Sequence, residues 1–302
     1  MDFDQKIIDD FNNAAFQGDV LTVKNINNSF KDMIKNCHIN DAMKLTIKNN
    51  HLSVVQYFIL AGFYPYFGCH QFTSGNYYLL SNNCFMVAAR YNRVEIMNYL
   101  LSSSPIEINK LDCVLQKAVE YGHLEIVKIF VNLGSNINRY DGPLFKAAKK
   151  GHFFIVKYLI SMGAEPCRFS GYVLKEAVEG NHMAIVKYLI SVVGCKVFEN
   201  GDTLEAAVKN GNLRMLKYLL AYLQPIKNIY CLNELLNLAV KEGDIQIVKY
   251  LIFYGCDPFD LNAISIAQEK NHKEIVMYLN SLDPKKYNSW WIRFRNFVKN
   301  FD

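Results

Sequence analysis

The sequence predicts an all-α solenoid of about nine helix-turn-helix repeats. Three observations carry this: a block of thirteen residues that recurs along the chain, a Gly or Asn at one fixed place in it, and an apolar stripe that follows. The block is plainest as AVEYGHLEIVKIF (118–130), AAKKGHFFIVKYL (147–159), AVEGNHMAIVKYL (177–189), AVKNGNLRMLKYL (207–219) and AVKEGDIQIVKYL (239–251). It returns as AAFQGDVLTVKNI (14–26), TIKNNHLSVVQYF (46–58), AARYNRVEIMNYL (88–100) and AQEKNHKEIVMYL (267–279). The fixed residue is Gly18, Asn50, Asn92, Gly122, Gly151, Asn181, Gly211, Gly243 and Asn271 in turn, at intervals of 28 to 32 residues with one of 42.

Each element of a repeat has a local reason. The first helix carries small residues such as Ala147 and Ala148, which let a neighbouring helix approach closely, and ends at the fixed Gly or Asn. Those two residue types enter the left-handed backbone region at little cost, so they close a helix tightly. The second helix places apolar side chains four, five and eight residues after the turn, as in Ile155, Val156 and Leu159 or Ile247, Val248 and Leu251, which makes a single stripe. Gly62, Gly134, Gly163 and Gly255 fall twelve residues after their turns, where a helix C-cap belongs. No β-branched run of strand length recurs between helices, so a strand-helix nucleotide-binding fold is excluded.

Composition agrees. The 302 residues are 51% apolar and 20% charged with only 7 Pro, enough apolar surface to offset the entropy of ordering and too little Pro and Gly for a disordered or collagen-like chain. The mean hydropathy is 0.00, and the most apolar run, 54–69, is interrupted by Gln56 and Pro65 before it reaches the roughly 20 residues that a membrane span needs. The acidic start MDFDQKIIDD contains no secretory h-region, so a cytoplasmic location is expected. A formal charge of +5 is too mild to imply nucleic acid. Eight cysteines, never closer than 15 residues, contain no C-x-x-C pair and are expected to be reduced, mostly buried thiols.

The stretch DGPLFKAAKKGHFFIVKYLISMGAEP (141–166) resembles the ankyrin repeat, with its pattern G-x-T-P-L-H-x-A-A-x-x-G-H…V-x-x-L-L-x-x-G-A. Pro143, Leu144, Ala147, Ala148, Gly151, His152, Val156, Leu159, Gly163 and Ala164 match it, and Phe145 stands where the family has His. The resemblance covers residues 4 to 283 or so and implies a curved, right-handed stack that binds proteins through connector tips and a concave face. A spacing near 30 falls short of the ~33 of ankyrin repeats, so the hairpin connectors are expected to be shortened. The wording, rich in Lys, Ile and Asn, also resembles ankyrin proteins of large DNA viruses that infect amoebae, which implies host-cell cytoplasm. Such proteins often add an F-box-like segment that recruits targets to a host ubiquitin ligase. With repeats starting near residue 4 and a tail of 19 residues, that adaptor role is an alternative rather than the expectation.

The expected organisation is a repeat array over 1–283, with an aromatic insert at 63–83, and a C-terminal helix over 284–302. On a helical wheel Trp290, Trp291, Phe294, Phe297, Val298 and Phe301 gather on one side, suiting a cap on the last repeat or, alternatively, a peripheral membrane tether. His51, His123, His152, His182 and His272 share one position just after the turn; repeats ~10 Å apart cannot converge them on a metal, so they are expected to hydrogen-bond the inter-helix loop. Lys24, Lys128, Lys157, Lys187, Lys217 and Lys249 share the sixth position after the turn, read as an ordinary solvated face or, alternatively, as a stack of like charges that meets an acidic partner or phosphates. Tyr57, Tyr99, Tyr158, Tyr188, Tyr218, Tyr250 and Tyr278 follow at the next, read as packing between repeats with wet hydroxyls. Nothing points to catalysis, a cofactor or a metal. The expected activity is that of a monomeric, non-enzymatic scaffold that binds a protein partner and no nucleic acid. The candidate contact residues are the irregular ones at connector tips, Arg139, Tyr140, Arg168, Phe169, Phe198, Lys227, Tyr230 and Phe259.

Overall fold

A computed structural model describes residues 3–31, 33–63, 84–103, 112–138, 142–167, 171–195, 202–222, 229–259 and 261–283, with the side chains of 36, 229–231 and 261 excepted. The described residues form α-helices and turns and contain no strand. The chain divides into two compact units, Met1–Lys146 and Ala147–Asp302, and the boundary falls inside the helix α9 (Pro143–Lys150).

The first unit holds four helix pairs: α1 (Phe3–Gln17) with α2 (Val20–Ser29), α3 (Asn36–Lys48) with α4 (Leu52–Leu60), α5 (Cys84–Arg90) with α6 (Val94–Ser103), and α7 (Asp112–Tyr121) with α8 (Leu124–Asn132). The second holds α10 (Phe153–Ser161), then α11 (Tyr172–Glu179) with α12 (Met183–Ser191), α13 (Asp202–Lys209) with α14 (Leu213–Tyr222), α15 (Ile229–Glu242) with α16 (Ile245–Tyr254), and α17 (Leu261–Glu269) with α18 (Lys273–Asn280). First helices pack on first helices and second on second: α1 on α3 on α5 on α7, and α2 on α4 on α6 on α8, in one unit; α11 on α13 on α15 on α17, with α10 on α12 and α16 on α18, in the other.

The turns are what the Gly/Asn pattern requires. All nine fixed residues have positive φ, from 55° at Asn92 to 81° at Gly151 and Gly243. Asn50, Asn92, Asn181 and Asn271 are the only residues other than Gly with positive φ among those described. At α11 the Asn181 N–H donates to the Val178 carbonyl (2.9 Å) and the His182 N–H to the Ala177 carbonyl (2.8 Å), the paired bonds that end a helix on a left-handed residue. The second helices α4, α8, α10 and α16 stop on a left-handed Gly in the same way. Gly163 N–H donates to Ile160 (3.0 Å) and Ala164 N–H to Leu159 (2.9 Å), with Gly163 at φ 92°.

The apolar stripe forms the core. Ile155, Val156 and Leu159 are buried, as are Ile247, Val248 and Leu251, while Ala147 and Ala148 line the tight face of the first helix. Phe11, Phe58, Phe85 and Phe130 fill the first unit. Burial of each large apolar side chain contributes roughly 1.5–3 kcal/mol, so stability is spread along the array. The insert beyond Phe63 and the tail 284–302 lie outside the described residues, as do most connectors.

One expectation is corrected. Cys167 and Cys195 are not reduced thiols but a disulfide, with their Cα atoms 5.4 Å apart. Their separation of 28 residues is close to one repeat interval, so two successive connectors set them side by side. Cys37, Cys84, Cys113 and Cys256 are thiols outside this disulfide, and of these Cys84 and Cys256 are fully buried. Burial pushes the Cys84 thiol up to about 12, and its Sγ sits 3.2 Å from Met43 Sδ. At pH 8 iodoacetamide should therefore alkylate Cys84 on the order of a thousandfold more slowly than an ordinary exposed thiol. Peptide mapping by mass spectrometry checks this; early labelling of Cys84 in folded protein would contradict the packing of α5.

Candidate functional site

Two sets of side chains recur at repeat junctions. The first is the turn histidines, each at the N-cap of a second helix. His51 Nε2–H donates to the Phe16 carbonyl (2.9 Å), His123 to Arg90 (2.9 Å), His182 to Lys149 (2.9 Å) and His272 to Lys241 (3.2 Å). The acceptor is always the carbonyl two residues before the preceding repeat's turn residue. The expected loop bond is thus present, but it reaches back across the repeat junction. Where the histidine is absent, other donors serve: Arg93 donates to the Lys48 carbonyl, and Asn210 Nδ2 to those of Val178 (2.9 Å) and Glu179 (3.1 Å). Asp244 has no proton to give and instead caps its own helix, accepting from the Gln246 and Ile247 N–H groups.

This bond explains a choice between Gly and Asn. A Cβ on Gly18, Gly151 or Gly243 would stand 2.5, 2.4 and 2.7 Å from the ring of the next repeat's His51, His182 and His272. Asn92, which precedes His123, turns at φ 55° where those glycines turn near 80°, so a side chain there comes with a different turn. Replacing His272 by Ala should cost about 1 kcal/mol, the net worth of one such hydrogen bond. Hydrogen exchange should register the loss mainly in α17 and α18; equal loosening of α11 would argue against nearest-neighbour ties.

The second set is the Lys and Tyr columns. In the second unit the lysine of one repeat lies over the tyrosine ring of the next. Nζ to ring-centroid distances are 5.9 Å for Lys157 and Tyr188, 5.8 Å for Lys187 and Tyr218, 4.9 Å for Lys217 and Tyr250, and 5.3 Å for Lys249 and Tyr278. An ammonium over a ring face is held there by the ring quadrupole. Partial burial raises the Tyr250 and Tyr278 phenols above their ordinary value. The hydroxyls are not all wet: Tyr57 Oη accepts from Asn27 Nδ2 (3.0 Å), and Tyr218 Oη shares a hydrogen bond with Ser191 Oγ (2.7 Å). The sequence showed both columns but not that adjacent repeats pair them; lysine at position six and tyrosine one place later in the following repeat was the available signal.

Of the tip residues, Arg139, Tyr140, Arg168, Phe169, Phe198 and Lys227 lie outside the described residues, and for Tyr230 only its backbone place in the first turn of α15 is described. Phe259 is half-buried, and its N–H donates to Asp257 Oδ1 (2.9 Å). Among the described residues no cluster of His, Cys, Asp or Glu could hold a metal ion, and no helix is long and apolar enough to cross a membrane.

Two family models match the chain. The one for ankyrin repeats in three copies covers residues 85–170 and 144–229, and the one for a single ankyrin repeat covers 233–263, more than half the chain between them. No curated protein matches it.

Proposed function

Since the chain belongs to the ankyrin-repeat family, whose repeats are generally protein–protein interaction modules, we propose that it is a non-enzymatic scaffold that binds another protein through its connector tips and concave face. The supporting observation is the pair of ties, His to carbonyl and Lys to Tyr ring, found together at the junctions of α10 with α12 and of α16 with α18, which hold the register of neighbouring repeats. Side chains carried on such a frame are ordered before a partner arrives, so less entropy is lost on binding. The contact residues proposed are Arg139, Tyr140, Arg168, Phe169, Phe198, Lys227, Tyr230 and Phe259. The resemblance to ankyrin proteins of amoeba-infecting viruses suggests host cytoplasm, where the Cys167–Cys195 bond is subject to reduction, and the protein is proposed to act as a monomer.

The test is affinity capture from amoebal cytosol with the wild type and with a variant carrying Arg139→Ser, Tyr140→Ser, Phe169→Ser and Phe198→Ser. A stoichiometric protein retained by the wild type and lost by the variant, with an unchanged circular-dichroism melt, supports the reading. Equal retention by both, or none by either, defeats it.

A further inference from the structure

Four successive second helices of the Ala147–Asp302 unit carry a charge arrangement that repeat packing does not require. α10, α12, α14 and α16 contain Lys157, Lys187, Arg214, Lys217 and Lys249 and no Asp or Glu at all. The first helices among them, α11, α13 and α15, hold Glu176, Glu179, Asp202, Glu205, Glu234 and Glu242. In these four successive repeats the second helix is free of acids, whereas α18, the last second helix of the unit, again carries one, Glu274.

α8 shows the alternative. Glu125 stands three residues after its turn, and Lys128 Nζ reaches Glu125 Oε1 at 2.8 Å. In the next four repeats that third position is Phe154, Ala184, Arg214 and Gln246, so the carboxylate that would neutralise the lysine is replaced four times running. Each lysine is held instead by a tyrosine ring, which positions an ammonium without cancelling its charge. Exposed apolar side chains stand on the same helices or just past their ends: Phe154 at 73%, Val192 at 71% and Phe253 at 65%.

We propose that this face docks an extended acidic segment of a partner protein, with a carboxylate at every third residue and apolar side chains between. Helices packed side by side lie ~10 Å apart, which sets the spacing of the lysines. A polyproline-type strand rises ~3.1 Å per residue with three residues per turn, so every third side chain shares one face and recurs about every 9 Å. Ring-held charges in fixed places suit a ligand with discrete charges in register, more than a fluid lipid surface or a nucleic acid with its far denser charge. The proposal rests on the scaffold reading above but uses the second helices and not the connectors.

Fluorescence anisotropy with the full chain tests it. The probes are a labelled 15-residue peptide with Glu at every third position, a peptide of the same composition with its Glu residues in one block, and phosphatidylserine vesicles. The proteins are the wild type, Lys187→Gln with Lys217→Gln, and Phe154→Glu with Ala184→Glu and Gln246→Glu, which restores the α8 arrangement. The wild type should bind the spaced peptide at least tenfold more tightly than the blocked one. Either variant should lose at least tenfold of that affinity while keeping the wild-type circular-dichroism spectrum at the assay temperature, and raising NaCl from about 0.05 to 0.3 M should weaken binding, because the pairs are exposed. Equal binding of the two peptides, wild-type binding by the variants, or binding of vesicles but not peptide overturns the proposal. Failure here with partner capture still dependent on the connector residues removes only this face and leaves the scaffold reading standing.

Discussion

Gly151→Ala should lower the stability of its part of the array by about 3 kcal/mol, while Gly163→Ala should cost only about 1. Both residues sit in the left-handed region, at φ 81° and 92°, where a residue with a Cβ pays roughly 1–2 kcal/mol. They differ in what surrounds them. Nothing lies within 4 Å of a Cβ built on Gly163, whereas one on Gly151 meets His182 Cε1 at 2.4 Å and Nδ1 at 2.5 Å. The ring must move, and with it goes the His182–Lys149 hydrogen bond, a further ~1 kcal/mol, plus the repacking of α12. A double-mutant cycle isolates this contribution: in a His182→Ala background, Gly151→Ala should fall to the cost seen at Gly163. Hydrogen exchange is the suitable readout, because repeat arrays need not unfold in one step. Protection should drop across 147–195 before 261–283. Equal costs at the two glycines would refute the account of the histidine contact.

Reducing the Cys167–Cys195 bond should destabilise the repeats it joins by about 3–4 kcal/mol, the chain-entropy value for a closed loop of this length. The loop contains α11 and α12, so the loss should fall there. Cys167 is exposed and Cys195 buried, so a reductant can reach one sulfur without unfolding the chain. Urea unfolding with and without tris(2-carboxyethyl)phosphine measures the difference, and Cys167→Ser should match the reduced wild type and ignore the reagent. A wild type indifferent to reductant would mean that the bond contributes nothing to folding.

What the sequence revealed and what it hid follow from the range of the interactions. The nine turns were legible because left-handed backbone is a local preference that Gly and Asn announce by themselves. The buried stripe was legible because helical period is local too. Contacts that join residue i to a residue one repeat away were not. The expected histidine bond turns out to reach the preceding repeat, the largely exposed lysines also lie over rings of the next repeat, and Cys167 and Cys195, expected as separate thiols, are joined. In each case the distance in sequence, close to one repeat, was the missing clue. Of the tip residues named, only Phe259 is described with its side chain, so the contact surface still rests on the irregularity of those residues against a regular frame.

The direction of the histidine ties has a consequence for synthesis on the ribosome. Each acceptor is a backbone carbonyl of the earlier repeat and each donor a side chain of the later one, as in Phe16 and His51 or Lys241 and His272. A carbonyl at the end of a formed helix is available as soon as its own repeat has folded. Translation at about 5–20 residues per second delivers a repeat every few seconds, whereas helices form in about a microsecond. Each of these four histidines therefore finds its acceptor already in place as it emerges, whereas the lysine of a repeat such as Lys157 gains its ring, Tyr188, only when the next repeat has been made.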